Sequence, residues 1–238
     1  APQTLLDEFR DDQERAAMLQ SAGDENAYAM FEHVWHGAYL EFSDALVFAG
    51  HYIIDEFEPQ ADWVDVYYGA DWGFAKDPTT LNKLWIHDNI LYVEYEAHQV
   101  GCEIDHLPAL FDEIPDIRTH VIRADNARPE TISYLKRQNF RIEAAQKWAG
   151  SVEDGVTFLK KFKKIVIHPR CKETAKEFRL YSYKMNKAGD VLPDILDMNN
   201  HHIDGIRYAL QPIIKGQVSA AGATAPAANQ AKRQRIRA

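Results

Sequence analysis

The 238-residue sequence predicts an α/β fold, in which a mixed sheet is flanked by helices and follows an acidic N-terminal helical appendage. Three observations predict this class. β-rich runs separated by turn residues occupy residues 61–98, strand and helix patterns alternate over 102–185, and the opening quarter is acidic. Hairpin strands followed by alternating strands and helices are typical of a mixed sheet with helices on its faces.

Three consecutive strands are predicted at the start of the sheet. They are WVDVYYGAD (63–71), TTLNKLWIH (79–87) and NILYVEYEAH (89–98), all rich in β-branched and aromatic residues. Asp88-Asn89 separates the last two strands and is a residue pair that favours a tight turn. The three segments therefore predict a meander.

Strands and helices then alternate along the chain. Pro129 suits the first turn of a helix, where its missing N–H costs no hydrogen bond. The predicted strands are 119–125, 140–144, 164–169 and 181–185, and the predicted helices are 102–114, 129–138, 151–162, 171–180 and 199–212. The segment KAGDVLPD (187–194) is predicted to be a loop. We interpret residues 61–215 as one main domain.

Residues 1–60 differ from the rest of the chain in charge. They hold thirteen acidic residues against two arginines, a net charge of −11, so the remainder carries +2 of the chain's total of −9. Helices are predicted at 4–22 and 25–40, whereas 45–57 fits a strand as well as a helix. We interpret this region as a linker or appendage.

Positive charge gathers in two later parts of the chain. One is the lysine- and arginine-rich stretch 160–187, and the other is the C-terminal stretch 216–238, which ends in KRQRIR. The second stretch is rich in Ala, Gly and Gln and lacks a core-forming pattern, so it is predicted to be a disordered basic tail. A solubilising role and contact with nucleic acid or an acidic partner both remain open for it.

The positions of the cysteines and the lack of long apolar runs limit the class of protein. Cys102 and Cys171 are far apart and form no CxxC pair, which excludes a disulfide framework and a cysteine-based zinc site. No apolar run reaches the length of a membrane span, and no signal peptide opens the sequence. We therefore expect a soluble intracellular protein.

Aspartates follow two of the predicted strands. Asp71 ends the strand 63–71, and Asp125 ends the strand 119–125. Ligands bind in open α/β sheets beyond the carboxyl ends of the strands. Carboxylates brought together there repel one another unless a cation neutralises them, and Mg²⁺ or Mn²⁺ prefers such oxygen ligands. These aspartates therefore indicate a possible divalent metal site.

The segment NNHHIDGIRYAL (199–210) offers a third carboxylate. His201 and Asp204 are three residues apart, so they share one face of the predicted helix. Asp204 could bind metal with His201 beside it. On residue type and spacing alone the opposite interpretation is favoured, in which an asparagine caps the helix, His201 is partly buried and Asp204 is solvated.

A family resemblance favours the metal-site interpretation. Four segments occur in a characteristic order: YYGADWGFAKDPTTLNKLWI, VIRADNARPETISYLKRQNF, KWAGSVEDGVTFLKKF and NNHHIDGIRYAL. This ordered set resembles the nuclease domain of the large terminase subunit of tailed double-stranded DNA bacteriophages, over about residues 61–213. The resemblance implies an RNase H-like fold and an endonuclease that cuts concatemeric viral DNA when packaging starts and ends.

The resemblance also implies roles for particular residues. Asp71, Asp125 and Asp204 would form a triad that binds two Mg²⁺ or Mn²⁺ ions, and His201 would assist as a further catalytic-site residue. Cleavage would follow a two-metal mechanism, in which the ions activate a water and stabilise the leaving oxygen of the phosphodiester. Double-stranded DNA, the portal protein and the small terminase subunit are the implied partners, in the host-cell cytoplasm and away from membranes.

Full-length members of the resembled family couple this domain to an ATPase motor, and no G-x-x-x-x-G-K-[ST] motif occurs here. We expect no ATP hydrolysis from this chain, and residues 1–60 would follow the absent motor. Two alternative functions stay open. One is another RNase H-like nuclease of the resolvase or recombinase type, and the other is a packaging-motor assembly module with a vestigial nuclease site.

Several charged residues have both a functional and a structural interpretation. Five lysines would contact DNA phosphates weakly, or they are ordinary solvated charges: Lys147, Lys160, Lys161, Lys163 and Lys164. Asp77 could return to the site as a supporting carboxylate, but a turn role beside Pro78 is favoured. Glu130 is expected only to complement the dipole of its helix.

Overall fold

The structure, a computed structural model, describes residues 10–18, 45–73, 75–186 and 190–224. The chain divides into two compact units. A smaller unit combines residues 1–50 with 176–199, and a larger unit combines residues 51–175 with 200–238. Residues 51–60, which the charge pattern grouped with the appendage, therefore belong with the sheet, and residues 176–199 belong with the N-terminal region.

A seven-stranded sheet forms the centre of the larger unit. Its spatial order is β1-β7-β4-β3-β2-β5-β6. The strands are β1 (Tyr52–Ile54), β2 (Val66–Asp71), β3 (Pro78–His87), β4 (Ile90–Val100), β5 (Ile122–Ala124), β6 (Ile142–Ala144) and β7 (Lys164–Ile167). Only β3 runs opposite to its neighbours, and the other six strands are parallel to one another. The predicted mixed sheet is confirmed.

Helices connect and cover the strands. They are α1 (Leu107–Asp112), α2 (Pro129–Arg137), α3 (Ser151–Leu159), α4 (Lys172–Leu180) and α5 (His201–Thr224). The first four are somewhat shorter than predicted, and α5 is longer because it continues through Pro212 instead of ending there. Part of the predicted disordered tail is therefore helical, and residues 225–238 lie outside the described residues. Among the described helices, none is both long and apolar enough to cross a membrane.

The meander of β2, β3 and β4 is also confirmed, and its second turn has the expected chemistry. Asp88 and Asn89 have φ values of 50° and 61°, which Asp and Asn tolerate better than most residues. Two central residues with positive φ match the twist of a tight hairpin. The segment 45–57, for which strand and helix competed, contains the short edge strand β1.

The two faces of the sheet have different chemistry. One face carries the hydrophobic core, in which Tyr68, Ala70 and Leu81 pack with residues such as Phe111 of α1 and Leu135 of α2. The opposite face lies under α5 and carries glycine and polar residues at the alternate positions of the same strands: Gly69, Asp71, Thr80, Asn82, Glu96 and His98. The period-2 alternation of β-strands therefore separates an apolar core from a polar layer.

The smaller unit contains a helical segment at residues 10–18 and the antiparallel pair β8 (Tyr183–Met185) and β9 (Val191–Ile195). Phe48 packs against Phe178, with ring centroids 4.7 Å apart. Residues 187–194 were predicted to be a loop, which is wrong for their last part because β9 begins at Val191 and pairs with β8. The predicted helix 25–40 lies outside the described residues.

Candidate metal centre

The carboxyl ends of two neighbouring strands bring Asp71 and Asp125 to one edge of the sheet. Asp71 is the last residue of β2, and Asp125 directly follows β5, which pairs with β2 in parallel. The Asp125 backbone N–H donates to the Ala70 carbonyl at 3.1 Å. The Trp72 indole N–H donates to the Asp125 carbonyl at 2.8 Å. These bonds fix the backbone on both sides of the pair.

Helix α5 brings its first turn to the same edge. His201 Nδ1 lies 3.0 Å from Asp71 Oδ2, and the Thr80 hydroxyl donates to the His201 carbonyl at 3.1 Å. Asp204 follows within the first turn and pairs through its backbone N–H with the Asn200 carbonyl at 2.6 Å. The first turn of α5, with His201 and Asp204, therefore lies beside the end of β2.

A close approach of two backbones makes this arrangement possible. A Cβ atom at Gly69 of β2 would lie 1.9 Å from the Gly205 carbonyl oxygen and 2.7 Å from the Ala209 Cβ. A Cβ atom at Gly205 would lie 3.2 Å from the Gly69 carbonyl oxygen. Glycine at position 69 therefore lets α5 lie directly on β2. The contact is two residues before Asp71 and one after Asp204, so it sets the distance between them.

Each of the three carboxylates has a basic partner. Lys147 Nζ lies 2.6 Å from Asp125 Oδ1, and Arg207 Nη2 lies 2.6 Å from Asp204 Oδ1. Asp71 has the imidazole of His201, whose other nitrogen, Nε2, lies 3.5 Å from Asp77 Oδ1. Side chains of the protein itself therefore offset part of the negative charge at this edge.

Burial and neighbouring charges shift the pKa values of Asp71, Asp204 and Tyr208. Burial raises the pKa of Asp71, the bond and charge of His201 lower it, and the Asp125 carboxylate raises it again. Burial likewise raises the pKa of Asp204, Arg207 lowers it, and Asp71 raises it. The Tyr208 pKa is raised first by burial and then by all three aspartates. Mutual repulsion of this kind is relieved by a bound cation.

The donor set suits a hard divalent cation, although it is not assembled around one. Within the described parts of the chain, no three His, Cys, Asp or Glu side chains converge closely enough to hold a metal ion. The ligand atoms that the aspartates would offer are carboxylate oxygens, which Mg²⁺ and Mn²⁺ prefer. The chemistry of the donor set therefore fits such an ion.

A chain of buried hydrogen bonds connects the start of α5 to β3, β4 and α4. His202 Nδ1 lies 3.0 Å from Asn82 Oδ1, and His202 Nε2 lies 3.0 Å from His98 Nδ1. The Asn82 amide donates to the Thr174 hydroxyl at 2.9 Å, and that hydroxyl donates to Glu96 at 2.7 Å. Asn82 Oδ1 can only accept, so His202 carries its proton on Nδ1 and accepts from His98. Burial, then His98 and His201, hold the pKa of His202 well below its usual range.

The structure separates the predicted lysines into two groups. Lys147 lies at the carboxylates, whereas Lys164 begins β7 and pairs with Ile90, eight positions before His98 on β4. That is about 25 Å along the strand from the edge that carries Asp71. Lys160, Lys161 and Lys163 immediately precede β7, so this group begins at the opposite edge of the sheet.

Asp77 and Glu130, which also had two interpretations, differ in their contacts with the site. Asp77 approaches His201, as the less favoured interpretation proposed, while Glu130 lies in the first turn of α2. Sequence reasoning missed Arg207, although it lies three residues after Asp204 in the segment used to find that aspartate. It also missed Asn82 and His98. Their one available signal was polar residues at alternate positions of β-rich strands.

The chain belongs to the terminase RNase H-like domain family, because the profile of that family matches residues 71–212, which is more than half of the sequence. The large terminase subunit of Bacillus phage SPP1 is 33% identical over 164 residues, covering 65% of this chain and 38% of that protein. The PBSX phage terminase large subunit of Bacillus subtilis (strain 168) is 29% identical over 144 residues, covering 60% and 33%. This chain therefore spans about a third of the length of these relatives.

Solved structures agree with this assignment. The crystal structure of the g2p (large terminase) nuclease domain from bacteriophage SPP1 with bound Mn matches with a TM-score of 0.62 and 28% identity. The match covers 68% of this chain and 97% of that one. The large terminase of a thermophilic bacteriophage, at 21% identity and a TM-score of 0.55, shares the fold over 71% of this chain and 45% of its own. The RNase H-like fold that the resemblance implied is confirmed.

Proposed function

We propose that this domain is a metal-dependent endonuclease that cuts concatemeric double-stranded viral DNA during genome packaging. The observation that carries the proposal is the placement of Asp71 and Asp125 at the carboxyl ends of two neighbouring parallel strands, beside the first turn of α5, which carries His201 and Asp204. The similarity to the SPP1 nuclease domain, whose crystal structure contains Mn, supports the use of a divalent cation. The portal protein and the small terminase subunit are proposed partners of the whole protein, in the host-cell cytoplasm.

The three aspartates would hold the metal, in two ions by this proposal. When bound, such ions make a coordinated water more acidic and stabilise charge on the leaving oxygen of a phosphodiester. The aspartates provide negative charge and geometry, so no nucleophile from the protein is required. His201 contacts Asp71 and Asp77 with its two nitrogens, and it therefore holds the Asp71 carboxylate in place.

Lys147 is the residue through which the site would contact DNA. Its side chain is 43% exposed, so its amino group can exchange Asp125 for a phosphate oxygen when a cation arrives. Lysine contacts to phosphates position a duplex but carry no information about base sequence. We therefore expect weak sequence preference and DNA binding that falls steeply with salt concentration.

Plasmid digestion tests the proposal directly. Purified protein with Mn²⁺ is expected to nick and linearise a supercoiled plasmid, and EDTA is expected to abolish cutting. Asp125→Asn removes a charge without changing side-chain size, so it should reduce cutting by more than the roughly 10–100-fold that loss of a supporting residue costs. Full activity of this variant would exclude Asp125 from the site.

A matched control separates the site from general loss of acidic charge. Asp88→Asn makes the same chemical change at an exposed hairpin position, where the positive φ of 50° also suits asparagine. This variant should cut the plasmid as fast as the unchanged protein. A parallel fall in both variants would indicate a charge effect unrelated to the metal centre.

A second candidate function is a packaging-motor assembly module whose nuclease site is vestigial. The pairing of Asp125 with Lys147 and of Asp204 with Arg207 favours it, because both carboxylates have a basic partner within the protein. Titration of the folded protein with Mn²⁺ in a calorimeter separates the two functions. Saturable binding that Asp125→Asn removes supports the nuclease, and the absence of binding supports the assembly module.

A further inference from the structure

Arg207 is a buried arginine with all three guanidinium nitrogens engaged. Nε and Nη2 both donate to Asp204 Oδ1, at 3.1 and 2.6 Å, and Nη1 donates to the Ser151 carbonyl at 3.2 Å. Its side chain is 5% exposed, against 43% for Lys147. The guanidinium therefore ties the first turns of α5 and α3 together, whereas Lys147 reaches its carboxylate from an exposed position.

The contact with Asp204 is asymmetric. A guanidinium facing a carboxylate often binds both oxygens side by side. Here two donors converge on Oδ1, and Oδ2 receives neither of them. This geometry fixes the rotation of the carboxylate without using its second oxygen.

A glycine in the neighbouring helix makes room for this arginine. A Cβ atom at Gly155 of α3 would lie 2.6 Å from the Arg207 Cδ and 3.1 Å from its Cγ. These atoms are in the middle of the side chain, and the bonds to Asp204 and Ser151 prevent the far end from moving away. Alanine is otherwise favoured over glycine inside a helix. Gly155 therefore sits where the arginine needs space.

We propose that Arg207 is a positioning residue, which holds Asp204 through Oδ1 so that Oδ2 faces a divalent cation in the proposed nuclease site. The inference rests on the proposed function, because it concerns the same metal centre. Lys147 has the opposite role in this scheme. It occupies Asp125 in exchange with the cation, and its exposure allows it to leave.

The two roles predict opposite changes in metal affinity when each residue is replaced. Removing a positive charge near a cation site strengthens cation binding by simple electrostatics. Lys147→Met should follow that rule and bind Mn²⁺ several-fold more tightly. Arg207→Met removes the same charge, yet it should bind Mn²⁺ about 10–100-fold more weakly, because Asp204 is free to rotate and bury both oxygens elsewhere.

Gly155→Ala tests the same idea without touching any charge. The added methyl displaces Arg207, so Mn²⁺ affinity should fall in the same direction as in Arg207→Met. Gly216→Ala is the matched control, since a Cβ atom there meets no heavy atom within 4 Å and the position lies in α5. Its Mn²⁺ affinity should equal that of the unchanged protein. This variant set keeps a test available even if Arg207→Met fails to fold.

Calorimetric titration of the full chain with Mn²⁺ gives the affinities, and thermal unfolding in EDTA shows whether each variant is folded. Weaker binding by both Arg207→Met and Gly155→Ala supports the positioning role. Tighter or unchanged binding by Arg207→Met overturns it, as does a loss of thermal stability without any change in affinity. No saturable binding by the unchanged protein would instead overturn the proposed metal site, so the two failures are distinguishable.

Discussion

The two faces of the central sheet are built from the same strands but carry side chains of different chemistry. On β3, Leu81 points into the hydrophobic core with Tyr68 and Phe111, while its neighbours Thr80 and Asn82 point towards α5. All three β3 positions are fully buried. The difference is therefore not exposure but the partners available on each side, which are apolar rings on one face and hydrogen-bonding groups on the other.

The fold tolerates a charged site because the two faces of the sheet contribute differently to stability. The apolar face gains stability from burial of hydrocarbon, at roughly 25 cal/mol for each Å² removed from water. The polar face gains little net stability, because each buried polar group must first lose its water. It gains instead a fixed geometry, because the donor and the acceptor are defined for each hydrogen bond around His202. Four substitutions test this division, in order of decreasing expected loss of stability.

Gly69→Ala should have the largest effect, because it drives α5 away from the polar face. The new Cβ would lie 1.9 Å from a backbone oxygen, which only a movement of the helix can relieve. We expect a loss of more than about 4 kcal/mol in the free energy of unfolding, measured by urea denaturation. A stable Gly69→Ala protein would show that α5 does not lie directly on β2.

Leu81→Ala should have the next largest effect, because it opens a cavity in the apolar face. We expect a loss of about 2–5 kcal/mol in the free energy of unfolding. Mn²⁺ affinity, measured on the folded protein, should stay unchanged since no polar residue moves. Val64→Ala is the control, because this side chain is 81% exposed and its loss should cost less than about 0.5 kcal/mol. A change in metal affinity would break the proposed separation of the faces.

Asn82→Ala should cost less stability than Leu81→Ala but should disturb the site. It leaves the His202 Nδ1–H without its acceptor, which costs about 1–3 kcal/mol in the free energy of unfolding. Mn²⁺ affinity should also fall, because His202 supports the turn that carries His201 and Asp204. Gln99→Ala removes an exposed amide from β4 and should change neither quantity. Unchanged metal affinity in Asn82→Ala would limit the hydrogen-bond chain to a structural role.

Thr80→Val should have the smallest effect, because valine keeps the shape of the side chain. Only the hydrogen bond to the His201 carbonyl is lost, so we expect about 0.5–1.5 kcal/mol from urea denaturation. Thr157→Val makes the same change at an exposed position of α3 and should be nearly neutral. A loss as large as that of Leu81→Ala would mean that the polar face contributes more stability than its hydrogen bonds explain.

Much of the fold was accessible from the sequence, because local chemistry determines element type. The β-rich runs, the Asp88-Asn89 turn and Pro129 at the start of α2 predicted elements that the structure contains. The residues at which helices and strands begin and end were harder to predict from the sequence. The α5 helix passes Pro212, and β9 lies in a predicted loop, since packing and strand pairing overrule local preference at such positions.

Residue types and their order were enough to propose Asp71, Asp125, Asp204 and His201 as a site, because strand ends and helix periodicity are local properties and the ordered motifs resemble one family. The partners of those residues depended on the tertiary structure. Whether a cation is buried like Arg207, exposed like Lys147 or remote like Lys164 depends on how separate elements pack. The clearance beside Gly69 and Gly155 has the same origin, since no local pattern records the distance between two backbones.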